Sequence, residues 1–123
     1  MLKASIIIPT LNRSAELKRC VTSIENQLTK AHELILVTEK GELSALRNKG
    51  AKQAKGNILI FVDDDIECSW FWLYSILAMF QFDDGISGVS GPVVIPKHLI
   101  KNRDLFKYRL FNNLSDSFFA GSK

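Results

Sequence analysis

The sequence predicts an α/β fold built on a mostly parallel open sheet with flanking helices. Two patterns carry that expectation. Short apolar runs alternate with segments of helical period, which is the order of a parallel sheet with crossover helices. The run Ile58 to Val62 (ILIFV) is apolar at every position, as a strand covered on both faces requires. A third observation points to the edge that matters: polar residues collect just after three of the apolar runs. In an open parallel sheet, ligands bind beyond the carboxyl ends of the strands.

Ala4 to Ile8 (ASIII) reads as a buried strand stopped by Pro9. Asn12, Arg13 and Ser14 form a loop in which Ser14 can cap the next helix and Glu16 sits in its first turn. Leu17, Cys20, Val21, Ile24 and Leu28 recur at helical spacing, giving an amphipathic helix of about four turns. Glu33 to Val37 (ELILV) is a second strand, turned by Thr38 to Gly41. Leu43, Leu46, Gly50, Ala51 and Ala54 mark the inner face of a second helix, with Gly56 as its stop. The third strand, Ile58 to Val62, leads to an aromatic helix from about Ser69 to Phe82 (within it WFWLYSILAMFQF). That run is shorter than the roughly 20 residues a bilayer requires. It therefore reads as a buried helix, with Trp70, Phe71 and Trp72 in the core and contact with a membrane surface as the minority reading. Val89 to Ile95 (VSGPVVI) reads as an edge strand interrupted by Pro92. Leu105, Tyr108, Phe111 and Leu114 suggest a further amphipathic helix, and FFAGSK shows no clear structure.

The length of 123 residues suits one domain. A net charge of +3 is compatible with an anionic small molecule and falls short of a dedicated nucleic-acid binder, so no nucleic-acid partner is expected. Cys20 and Cys68 form no CxxC pair, and Cys20 falls on an apolar helix face, so a buried thiol is expected. The opening MLKASIIIPT is too short an apolar stretch for the core of a signal peptide. His32 and His98 have no partner at metal-ligand spacing and receive no role.

Asp63, Asp64 and Asp65 follow the third strand without a break. Adjacent carboxylates repel one another, and a cation or hydrogen-bond donors must offset the cost. Oxygen ligands suit a hard divalent ion, Mn²⁺ or Mg²⁺, which takes its remaining ligands from water and phosphate. Arg13, Arg47, Lys49 and Lys52 are available to meet phosphates. The residues themselves therefore point to a metal-assisted nucleotide or phosphate-ester site. A solvated acidic turn capping the next helix is the competing reading.

SIIIPTLNR at Ser5 to Arg13, ALRNKGAKQAKGNILIFVDDD at Ala45 to Asp65, and SGPV at Ser90 to Val93 together resemble family 2 glycosyltransferases of the GT-A fold. The resemblance implies a site for a nucleotide-diphosphate sugar. Pro9, Thr10, Asn12 and Arg13 would line the nucleotide pocket, and Arg47 and Asn48 would lie near base and diphosphate. Asp63 to Asp65 would match the DxD signature. Asp63 and Asp64 would then lie toward ribose and sugar, while Asp65, with Asp63, would hold the divalent metal. It implies a UDP-sugar as the favoured donor and an unknown glycan, lipid or protein as acceptor. Transfer would proceed with inversion, in the cytoplasm or at the inner face of the membrane.

Two departures bear on those expectations. Where the family carries an aspartate pair and Gly-Ser after the second strand, this chain has Thr38-Glu39-Lys40-Gly41. Glu39 takes the base-reading position with one more methylene, which leaves a base other than uracil open. The family's acceptor half and acidic catalytic base lie further along the chain. Asp104 and Asp116 do not sit in a matching context, so no base is assigned. The expectation is a single GT-A-type domain over residues 1–123, cut short before the acceptor half. A nucleotide-binding or interaction module without catalysis is the alternative.

Overall fold

A computed structural model of the chain describes residues 1–11, 14–91 and 118–122. The elements run β1 (Ala4–Pro9), α1 (Ser14–Glu25), β2 (Glu33–Val37), α2 (Leu43–Gln53), β3 (Ile58–Val62), α3 (Trp72–Phe82), β4 (Gly88–Gly91) and β5 (Phe118–Ser122). They form one five-stranded sheet in the order β2-β1-β3-β5-β4. β1 pairs in parallel with both β2 and β3, whereas β5 is antiparallel to β3 and to β4. Four of the five strands therefore point one way, and β5 alone runs against them.

The sheet is covered on both faces, so strand residues sort by parity. Ala4, Ile6, Ile8, Ile58, Ile60 and Val62 pack with Cys20 and Ile24 of α1 and with Leu73, Ile76 and Phe80 of α3. Ile7 and Val37 pack on the opposite face with Leu46 of α2 and with Ala54. Every residue of β1 is buried, while Leu59 and Phe61 of β3 are only half-buried on the α2 side. The expected burial of β3 on both faces is thus complete on one face and partial on the other.

Gly50 sets how closely α2 lies on the sheet. A Cβ there would stand 2.3 Å from Ile7 Cγ2. Gly56 was expected to end α2, but Ala54 is the C-cap and Gly56 has a different task. A Cβ on Gly56 would lie 2.5 Å from the Lys3 carbonyl oxygen and 2.8 Å from Ser5 N. Backbone passes against backbone here, which only glycine allows.

A buried polar network closes the amino edge of the sheet. The Ser5 hydroxyl donates to Glu33 Oε1 at 2.5 Å and accepts from Gly56 N–H at 2.8 Å. Lys55 N–H donates to the same Glu33 oxygen at 2.6 Å. The Ser5 hydrogen bond, followed by the Lys55 one, holds the Glu33 carboxyl below its ordinary range. A depressed carboxyl pKa contributes stability that is present above the unfolded value and lost as pH falls through the folded one. Wild type should therefore exceed Glu33→Gln in melting temperature by a constant margin at neutral pH. That margin should shrink as pH drops below the ordinary value of 4.5, and melting curves across pH 3 to 7 would read it. His32, given no role from sequence, accepts from Ala4 N–H through Nδ1 at 3.1 Å, and burial lowers its pKa.

Several element ends and faces differ from those expected. α1 ends at Glu25, and Leu28 packs against the core from the turn beyond it. Leu43, placed on the inner face of α2, is 49% exposed. Trp72 is buried as expected, but Trp70 and Phe71 are 76% and 48% exposed and precede the helix. Their rings lie 3.5 Å apart, centroid to centroid, tilted by 32°. The aromatic helix thus has one buried face, with Tyr74, Met79 and Phe82 exposed on the rest. FFAGSK, read as structureless, supplies β5, the strand that joins β3 to β4. β4 covers the start of the expected Val89 to Ile95 strand. Pro92 to Ile95, and the helix suggested by Leu105 to Leu114, lie outside the described residues.

Candidate functional site

β1, β2 and β3 are mutually parallel, so their carboxyl ends open on one edge. There a cavity of about 390 Å³ is lined by Pro9, Thr10 and Leu11 after β1, by Gly41, Leu43 and Leu46 after β2, and by Asp63, Asp64 and Asp65 after β3. Gly41 turns the β2 loop with φ of 157°, a backbone shape side chains disfavour.

The three aspartates, adjacent in sequence, meet three different environments. Asp64 is buried and accepts a hydrogen bond from the Thr10 hydroxyl at 2.8 Å. Asp63 is half-buried and pairs with Arg47 Nη2 at 3.2 Å. Asp65 is exposed at the cavity. Hydrogen bonding and ion pairing thus offset the repulsion expected of the cluster. Both members of the Arg47–Asp63 pair are partly solvated, at 39% and 46%, so water screens it. Arg47 Nε is buried without a hydrogen-bond partner among the described residues, leaving the guanidinium donor capacity that Asp63 does not use.

Cys20 backs the site from α1, its Sγ donating to the Asp63 carbonyl at 3.5 Å. Burial, and next the nearby Asp64 charge, push this thiol up to about 11. Burial likewise pushes Cys68 to about 12. Both cysteines are free thiols, and at such values they are protonated, unreactive side chains.

Of the residues expected from sequence, Pro9, Thr10, Asp63, Asp64 and Asp65 come together around the cavity; Arg47 does not line it and is paired to Asp63, which does. Glu39 and Asn48 are exposed and do not line it. Glu39 is instead ion-paired with Lys49 across the β2 loop and α2. Asn12 and Arg13 lie outside the described residues. The sequence reading missed the apolar wall of Leu11, Leu43 and Leu46. Leu11 and Leu43 are exposed in the structure, and a leucine carries no chemical signal of its own.

The donor set at the cavity is all oxygen, from three carboxylates, and it fits a hard divalent cation. Among the described residues, no three His, Cys, Asp or Glu side chains converge so as to hold an ion on protein ligands alone. An ion here would complete its shell from water or phosphate.

The model of the family described as Glycosyl transferase family 2 matches residues 34–119. The chain belongs to that family. Solved glycosyltransferases share its fold. The mannosyltransferase PcManGT from Pyrobaculum calidifontis, in complex with GDP-Man and Mn²⁺, matches with a TM-score of 0.68 and 15% identity, over 98% of this chain and 44% of its own. Glucosyl-3-phosphoglycerate synthase from Mycobacterium tuberculosis, in complex with UDP, matches at 0.65 and 18%, over 98% and 57%. S. aureus TarS (residues 1–349) matches at 0.63 and 18%, over 98% and 47%. The family 2 chain therefore spans about half the length of these structures. Its mostly parallel sheet with flanking helices is the GT-A architecture expected from sequence.

Proposed function

We propose that this chain is the donor-binding domain of a glycosyltransferase, binding a nucleotide-diphosphate sugar with Mn²⁺ or Mg²⁺. The observation that carries the reading is the meeting of Thr10, Asp63, Asp64 and Asp65 at one cavity on the carboxyl edge of the sheet, with Arg47 paired to Asp63. The similar structures carry GDP-Man with Mn²⁺, UDP, and UDP-GlcNAc, which supports the same ligand class here. A UDP-sugar is the favoured donor.

In this reading Asp65, with Asp63, would hold the ion. Once bound, it would stabilise the charge that develops on the diphosphate leaving group. Arg47 offers its unused donors to phosphate oxygens, and the apolar wall of Leu11, Leu43 and Leu46 keeps water from one side of the donor. Asp64, fixed by Thr10, accepts from a hydroxyl of ribose or sugar. Transfer to a glycan, lipid or protein acceptor then forms the new acceptor oxygen–carbon bond as the sugar–phosphate bond breaks, with inversion. The acceptor proton goes to an acidic base that is not assigned; Asp104 and Asp116 lie outside the described residues. Among the described residues no helix is long and apolar enough to cross a membrane. The exposed Trp70, Phe71 and Tyr74 support a peripheral contact at the inner, cytoplasmic face.

A thermal-shift panel of nucleoside diphosphates and their sugars, with and without Mn²⁺, tests the reading. At a hundredfold excess over the dissociation constant, a ligand specific for the folded state adds about 2.7 kcal/mol. A metal-dependent rise with UDP, GDP or one of their sugars is the expected result. A folded sample that responds to none of them would sink the proposal.

A further inference from the structure

We infer that the Thr10 hydroxyl is a positioning group that acts on the bound nucleotide through Asp64. The inference rests on the nucleotide-binding reading above. Thr10 joins the ends of three strands. It follows β1 directly, its N–H donates to the Val37 carbonyl at the end of β2 at 3.0 Å, and its hydroxyl donates to Asp64 Oδ2 after β3 at 2.8 Å. Thr10 and Asp64 are 2% and 4% exposed. At that depth a carboxylate needs a donor, and a charge-assisted hydrogen bond fixes its rotamer strongly.

A hydroxyl has one proton to give, and here Asp64 receives it. Thr10 therefore has no hydroxyl proton left for a ligand in the cavity it borders. Its effect on the site runs through the orientation of the second aspartate. The link between Thr10 N–H and Val37 is backbone, so a side-chain change leaves it in place and isolates the hydroxyl.

The test is isothermal titration of UDP and GDP in the presence of Mn²⁺ into the whole chain, each variant first shown to be folded by circular dichroism. Thr10→Val removes the hydroxyl at constant size and should weaken nucleotide affinity roughly tenfold to a hundredfold. Thr10→Ser restores the donor and should restore affinity. On an Asp64→Ala background, Thr10→Val should cost nothing further, because the two residues act as one unit. Thr10→Ala replaces Thr10→Val if the latter does not fold, and is read against the same outcomes. Wild-type affinity in Thr10→Val, or a further loss on the Asp64→Ala background, would overturn the inference while leaving the nucleotide site standing. Absence of nucleotide binding by the wild type would remove both.

Discussion

Gly56→Ala is expected to destabilise the fold by about 3–5 kcal/mol, read as a lower urea midpoint with an unchanged slope. The added Cβ would sit 2.5 Å from the Lys3 carbonyl oxygen, 2.7 Å from Ser5 Oγ and 2.8 Å from Ser5 N. Two of these neighbours are backbone atoms, held where Asn57 and Ile58 N–H both donate to the Lys3 carbonyl. No side-chain rotation relieves the clash. Separating the two backbone segments also breaks the hydrogen bond from Gly56 N–H to Ser5, which leaves a buried donor unmet and loosens the Glu33 network behind it. Gly50 is enclosed by side chains instead, because a Cβ there would meet Ile7 Cγ2 at 2.3 Å and Val37 Cγ2 at 3.2 Å, on two buried β-branched residues that have little freedom to rotate. A Gly56→Ala protein as stable as wild type would mean that the entry to β3 moves freely and that close backbone packing does not hold it.

Asp65→Asn is expected to abolish the Mn²⁺-dependent part of nucleotide stabilisation, out of a total of about 2.7 kcal/mol at a hundredfold excess of ligand. Asp65 is the most exposed of the three carboxylates at the cavity, with Asp63 half-buried and Asp64 buried. An amide keeps the shape and the oxygen but removes the charge that a hard cation requires. Retention of the full metal-dependent shift in Asp65→Asn would assign the ion to other ligands.

Much of this site was legible because its chemistry is local in sequence. An apolar run ending in Asp63-Asp64-Asp65 says by itself that a strand delivers charge to an edge. The parallel arrangement then brings Pro9 and Thr10 to the same edge. The surroundings of Glu39 were not legible, for the opposite reason. Its position after β2 was readable, but its pairing with Lys49 depends on how the β2 loop lies against α2.

By itself the sequence determined β1, α1, β2, α2, β3 and α3 to within a few residues, since periodicity and burial of apolar side chains act over short distances. It also determined the acidic edge. Tertiary structure alone decided three things. It made a strand of Phe118–Ser122, whose pairing partners β3 and β4 lie far back in the chain. It set the start of α3 at Trp72, where Leu73 N–H finds its acceptor in Gln27 Oε1 at 2.9 Å and not in a neighbouring cap. It buried Asp64 against Thr10, half-buried Asp63 beside Arg47 and left Asp65 the most exposed of the three. Each of these rests on a contact between residues distant in sequence, and such contacts exist only once the chain has closed on itself.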